Sequence, residues 1–308
     1  MKILIRVCLI LLVARLLPSR AWMPARYLAL RLLGPGRSRQ KSQNVKRRLK
    51  LAGLTDDRLS DIEAACAAEH FEASAQILRL LTGGPWRPVL ELCRGERLRQ
   101  ALDEGQGVIL WIPRFNGNEL PFKMALQAHG FDVNHLSSRE HGFGYSPIDI
   151  AYLNPLWIGI EERFLESRVK LEPRTTAMRT LRKRLKSNRI VSITDLAENA
   201  NTIRRPFLAG TRAFSLGPVK LAMAAKAPLL PAFIERVDCN HYRVTVRKAV
   251  YDPAKDSTDP VSVIDRYSEM LGAEVLRLPN LWLDWGETLY QDTPPAETAE
   301  SNTQSLQT

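Results

Sequence analysis

The clearest hydrophobic signal in the chain is an uninterrupted apolar run, VILWIP at 108–113, set between Gly107 and a polar loop. A run of strand length without alternation marks a strand covered on both faces. It follows a short helical stretch, ERLRQALDEGQ, and leads through RFNGN into an apolar helix from about Glu119 to Ala128, which Gly130 stops. FDVNHLS then reads as the next strand. This succession is an α/β unit, whose ligand loops lie at the carboxyl ends of the strands. The same reasoning predicts a helix over 174–186 with the stripe Met178, Leu181 and Leu185, and a strand at 190–194 that delivers Asp195 at its end. Two strands follow at 227–237 and 242–248, the second alternating as at a sheet edge or a half-exposed position. A last helix over 261–277 places Ile264, Tyr267, Leu271 and Val275 on one side. The expected fold class is α/β, a central mixed sheet flanked by helices.

The chain ends differ from this body. Val7–Ala14 is wholly apolar and is flanked by Lys2, Arg6, Arg15, Arg20 and Arg26. A helix needs about 20 apolar residues to cross a bilayer, and even Ile3–Leu17 is only fifteen residues long, with Arg6 and Arg15 among them. The following RLLPSRAW lacks a small-x-small cleavage site, so a retained anchor or an interfacial helix is expected rather than a removed signal. An ordinary buried N-terminal helix is the rival reading. The resulting division is a membrane-associated 1–33, a helical prelude over 34–90, an α/β body over 91–290 and a disordered tail over 291–308. Within the prelude, GPGRSRQ breaks the chain at 34–40, and 56–81 reads as a helix pair or one interrupted helix.

Charge sharpens the picture of the N-terminus. Residues 1–50 hold thirteen Lys or Arg and no acid, whereas the remaining 258 residues carry 31 basic and 33 acidic side chains. The net charge of +11 is therefore local, suited to an anionic lipid surface rather than to a general polyanion. KRRLKLAG at 46–53 has no interleaved aromatics, so nucleic acid is not an expected partner. The four cysteines form no CxxC pair, and no metal or nucleotide fingerprint is present. No cofactor or metal is expected.

Candidate chemistry gathers behind the buried strand, at Pro113, Arg114, Phe115, Asn116, Gly117, Asn118 and Glu119. This segment resembles the lipid A biosynthesis lauroyl/myristoyl acyltransferase family, whose HxxxxD or HxxxxE box follows such a strand. The resemblance extends over about residues 10–290. It includes ERLRQALDEGQGVIL, ITDLAEN, RRPFLAGTRAFSLGPVKLAMAAKAPLLPAF and LPNLWLDWGETLY. The box spacing and Glu119 are kept, while Arg114 stands where the family has its histidine. That histidine removes a proton from an acceptor hydroxyl, which arginine cannot do because its pKa exceeds about 12.

The resemblance implies a glycerolipid acyltransferase-like fold. The implied reaction moves an acyl group from acyl-CoA or acyl carrier protein to a lipid or glycolipid acceptor, at the bacterial inner membrane with the body facing the cytoplasm. Membrane lipid and an acyl thioester donor are then the partners. Glu119, Arg114 and Asp195 are the catalytic candidates, with Arg114 on a phosphate or a developing oxyanion. Asn116, Asn118, Arg139, Arg204, Arg205, Arg212, Ser215 and Lys220 are candidates for substrate binding. As a replacement base, His129 lies some 15 Å along its helix from Glu119 at about 1.5 Å per residue; His135 and His141 sit around the next strand and loop, and SSREHGFG at 137–144 is the better candidate, against the ordinary reading of a polar loop with an incidental histidine, which is the favoured one. Two other readings stay open: binding of a lipid or acyl carrier without chemistry, and a different group transfer.

Overall fold

The computed structural model describes residues 2–22, 25, 45–50, 52–55, 62, 71–115, 117, 120–138, 141–196, 201–238, 240–256, 259–286 and 290–291. The strands are β1 (Val89–Cys93), β2 (Val108–Ile112), β3 (Val133–Ser137), β4 (Ser167–Lys170), β5 (Ile190–Thr194), β6 (Thr202–Phe207), β7 (Gly210–Ser215), β8 (Leu229–Asp238), β9 (His241–Val246) and β10 (Tyr290–Gln291). Seven of them form one sheet in the order β1-β9-β8-β2-β5-β3-β4, and β10-β7-β6 form a second, antiparallel one. In the large sheet β8 and β9 pair antiparallel and the other neighbours pair parallel, so the sheet is mixed as expected.

Burial explains this order. All five residues of β2 are buried, and β2 occupies the middle of the sheet. The alternating β9 buries every second residue and lies one strand inside the edge, which β1 takes. β1 carries no buried residue, and its weak pattern gave no strand in the sequence reading.

Helices α1 (Lys2–Leu16), α2 (Glu96–Asp103), α3 (Leu120–Ala128), α4 (Asn154–Glu161), α5 (Arg174–Lys186), α6 (Gly217–Ala225) and α7 (Pro260–Arg277) accompany the strands. In α7 the stripe Ile264, Tyr267, Leu271 and Val275 is buried. Asp259 caps that helix by accepting from Val261 N and Ser262 N, each at 3.0 Å, which satisfies two otherwise orphaned donors. In α5, Leu181 and Leu185 are buried with Ala177, and Met178 is half-buried.

The described parts of the prelude dock on the body. Helical residues 71–81 approach β9 through polar groups: Tyr242 donates to Glu72 at 2.7 Å, and Gln76 donates to Tyr242 at 2.8 Å. Arg79 donates to the carbonyls of Ala14, Arg15 and Leu17, placing a cation at the carboxyl end of α1, where the helix dipole favours it. Ile10, Ala14 and Trp22 are buried in the common core, while Leu9, Leu12 and Leu16 are exposed. Among the described residues, no helix is long and apolar enough to cross a membrane. Of the expected membrane-associated 1–33 and the expected tail over 291–308, residues 1, 23, 24, 26–33 and 292–308 lie outside the described residues.

Candidate functional site

Ile112 pairs with Thr194, and Leu136 pairs with Ile193, so β2, β5 and β3 end at one level of the sheet. Arg114, Asp195 and the loop beginning at Ser138 all leave from this carboxyl edge, the usual place for a ligand in an open α/β sheet.

The loop after β2 is fastened on both sides. Leu283 N donates to the carbonyl of Arg114 at 3.0 Å, and Phe115 forms a bridge with Trp282. Gly117 has φ +92°, and a Cβ there would stand 3.0 Å from the Tyr242 ring. Only glycine lets the backbone lie this close to that ring in this conformation.

From this loop a run of five side chains leads inward. Arg114 Nη1 donates to Asp284 Oδ1 at 2.9 Å, and Asp284 Oδ2 accepts from Arg212 Nη2 at 3.2 Å. Arg212 Nη1 donates to Asp195 Oδ2 at 2.7 Å, and the same oxygen accepts from Tyr267 Oη at 3.0 Å. The side chains of Asp284, Arg212 and Asp195 are inaccessible, whereas that of Arg114 is 30% exposed, so the run comes to the surface at Arg114. Two guanidinium groups thus face two carboxylates, and the Coulombic pairing offsets part of the cost of burying these ions. Aromatic rings wall the run. Trp111 of β2 stacks on Tyr267 with centroids 3.7 Å apart, and Arg212 lies 4.8 Å from the centre of the Phe214 ring.

Burial raises the Asp195 carboxyl above its ordinary range, against the pull of Arg212. Burial works against the charge of Arg212 too, but Asp195 and Asp284 more than compensate and hold its proton more firmly than usual. Burial and the neighbouring Asp195 push the Tyr267 hydroxyl well above its normal range. Asp195 Oδ1 and Arg212 Nε find no hydrogen-bond partner among the described residues. Arg114 offers a planar cation steadied by a carboxylate, suited to an anionic oxygen but unable to act as a base.

A second charged cluster lies at the same edge, around β3. Glu161, at the end of α4, is inaccessible and accepts from Lys123 Nζ at 2.6 Å, from Arg168 Nη2 and from His141 Nε2 at 3.0 Å. Arg168 also donates to Ser137 Oγ at 2.5 Å, and His135 Nδ1 meets Ser192 Oγ at 2.8 Å. Burial alone would raise the Glu161 carboxyl, but His141, Lys123 and Arg168 hold it well below its ordinary value. Burial, then Lys123 and Arg168, keep the His135 imidazole well below its own.

The candidates from sequence therefore fall in different places. Arg114, Asp195 and Arg212 come together in one run, with Arg212 fully enclosed by acids. Arg205 makes a two-pronged pair with Asp265 at 2.6 and 2.8 Å, and Arg204 is exposed on β6. Ser215 Oγ accepts from Gly217 N at 3.3 Å at the start of α6, and exposed Lys220 donates to Asn201 at 2.9 Å. Asn116, Asn118, Glu119 and Arg139 lie outside the described residues. Sequence reasoning passed over Asp284, Tyr267, Glu161 and Lys123 as chemical groups. An acid between Trp282 and Trp285, and a lone cation in the apolar LPFKMALQA, were the available signals of buried charge.

A cleft of about 420 Å³ adjoins the run, between β6 and α7. Arg205, Phe207, Leu208, Asp265, Ser268 and Glu269 are among the residues that line it, and the Phe207 ring lies 5.5 Å from that of Trp282.

Residues 87–285 match a family described as bacterial lipid A biosynthesis acyltransferase. A search of curated proteins gives no match.

Proposed function

This chain belongs to the bacterial lipid A biosynthesis acyltransferase family, and from that premise we propose that it moves an acyl group from an acyl-CoA or acyl carrier protein thioester to a lipid or glycolipid acceptor through an RxxxxE box. Membership in the family supports acyl transfer to a lipid acceptor; the donor and the part played by the box are our own reading. The observation that carries this reading is the run from Arg114 through Asp284 and Arg212 to Asp195. It sets a braced, partly exposed guanidinium behind the central strand of the sheet.

In this account Arg114 steadies the oxyanion that forms when the acceptor attacks the thioester carbonyl, an electrostatic role that needs no proton transfer. Asp284 fixes its plane, and Asp195 fixes Arg212 behind it. Glu119, the last residue of the box, holds the acceptor hydroxyl.

The body would meet the membrane through the segment 145–160, whose one charged side chain, Asp149, is buried and accepts from Ser146. Tyr145, Ile148, Tyr152 and Leu156 of that segment are 81, 68, 73 and 43% exposed. An uncharged outer face with two tyrosines suits a bilayer interface. We place the protein at the bacterial inner membrane with its body in the cytoplasm, where thioester donors are made.

Arg114→Lys tests the role of the guanidinium, since it keeps the charge and removes the planar fork. Transfer should fall about tenfold or more with the fold intact, the usual range for losing one oxyanion donor being ~10²–10³. Unchanged turnover would remove Arg114 from the mechanism.

A further inference from the structure

An acceptor hydroxyl must lose a proton during acyl transfer, and Arg114 cannot take it. We propose that His141, oriented by Glu161, is the catalytic base, an inference that rests on the acyl-transfer reading above.

Three observations carry it. The first is the pair itself: the Glu161 carboxylate is inaccessible and accepts from His141 Nε2 at 3.0 Å, whereas the His141 side chain is 21% exposed. A carboxylate on one ring nitrogen fixes the tautomer, so the lone pair belongs to Nδ1. A general base needs an orienting acid behind it and access to substrate in front.

The second is that the pair is built into a fixed frame. Gly142 has φ +144°, and a Cβ there would lie 2.5 Å from Asn154 Oδ1. Asn154 is inaccessible and clamps the loop through Gly144, accepting from its N at 3.3 Å and donating to its O at 2.9 Å. The Trp157 ring stands edge-on to His141 at 5.8 Å and to Phe143 at 5.0 Å. The imidazole is thus held by packing as well as by hydrogen bonding.

The third is position. β3, which precedes His141, ends at the level where β2 delivers Arg114, with β5 between them. Neighbouring strands lie about 4.8 Å apart, so the two strand ends are separated by roughly 10 Å. Lys123, in the first turn of the helix that leaves the Arg114 loop, reaches Glu161 at 2.6 Å and ties the two sites together.

Glu161 of α4 is shared by His141, Lys123 of α3 and Arg168 of β4, with His135 of β3 in the same charged field. Lys123 and Arg168 already answer the single charge of Glu161. A proton received by His141 therefore adds a third cation around one carboxylate, which favours passing it on. The step balances without any other reactant. The acceptor O–H gives its proton to Nδ1 as the oxygen bonds to the acyl carbon, the carbon–sulfur bond breaks, and the imidazolium returns the proton to the departing thiolate.

The test is a pH–rate profile of wild type and His141→Gln with an acyl-CoA donor and a lipid acceptor in mixed micelles. Gln can still donate to Glu161 but cannot carry a proton. The expected result is a kcat lower by about 10²–10⁴-fold, the range for losing a general base, with KM for the donor nearly unchanged and the acid limb of the profile gone. Thermal melting checks the fold. If His141→Gln does not fold, His141→Ala assayed with added imidazole replaces it, and recovery of rate supports the base. A variant with wild-type kcat and profile, or no recovery by imidazole in the alanine variant, overturns the proposal and leaves acyl transfer standing. No product from the wild type overturns both.

Discussion

Arg114 donates to Asp284 at 2.9 Å, joining the loop behind the central strand to a tail segment 170 residues away in sequence. Asp284 also holds Arg212, so one inaccessible carboxylate serves two arginines. Two of the four hydrogen bonds in the run end on that acid.

Asp284→Ala should therefore cost more than a typical substitution. It leaves Arg212 buried with one carboxylate and frees the Arg114 guanidinium from its brace. Breaking a buried pair by removing one partner costs about 3–5 kcal/mol, which urea unfolding at neutral pH will read directly. A loss below about 1 kcal/mol, the usual worth of an exposed pair, would mean that the run is not an energetic unit.

Acid should weaken the fold through the second cluster. Burial, with Lys123 and Arg168, holds the His135 imidazole well below its ordinary value of 6.5. The unfolded chain therefore takes up a proton that the folded protein refuses. The stability from a neutral His135 is full above pH 6.5 and drains as the pH falls toward the lowered folded value. Glu161 is held well below 4.5, so its contribution is full above that value and is lost on further acidification. Melting curves of the wild type should fall in temperature from pH 7.5 to 5, and those of His135→Asn should fall less steeply. Parallel slopes would assign the acid sensitivity elsewhere.

The uncharged outer face offers a separate measurement. Ile148→Ser combined with Leu156→Ser should lower the partition onto vesicles of anionic and zwitterionic phospholipid by tenfold or more, equivalent to about 1.4 kcal/mol. Melting should change little, since both side chains are exposed. Equal cosedimentation of the double variant and the wild type would leave membrane contact to other parts of the chain.

Much of the sheet was legible in sequence because its elements announce themselves by period. VILWIP reads as a covered strand and IVSIT as a strand that delivers Asp195, and the two are neighbours at the centre. Ile264, Tyr267, Leu271 and Val275 read as one helix face and are buried. β1, β4 and the β6–β7 hairpin escaped: β1 and β4 are the edges of the large sheet, which leave little apolar signal, and TIRRPF on β6 carries two arginines.

The site was legible only in part. Arg114, Asp195 and Arg212 were named, but nothing in local spacing predicts that Arg212 would spend its charge between two acids rather than on a ligand. Tyr267 looked like one more apolar residue on its stripe until its hydroxyl was found on Asp195. Glu161 lies in IEERF among other acids, and only the tertiary fold singles it out by bringing Lys123, His141 and Arg168 to it. Long-range pairing of charge is a property of topology, which periodicity does not encode.

The most direct test of the central claim is product formation. Purified full-length protein in mixed micelles, given acyl-CoA and acyl-carrier-protein donors with total membrane lipid, should yield a new acylated lipid, and Glu119→Ala should lose it. Lipid binding by the wild type with no acylated product from any of those donors would contradict the enzyme account and favour a binding protein on an acyltransferase fold.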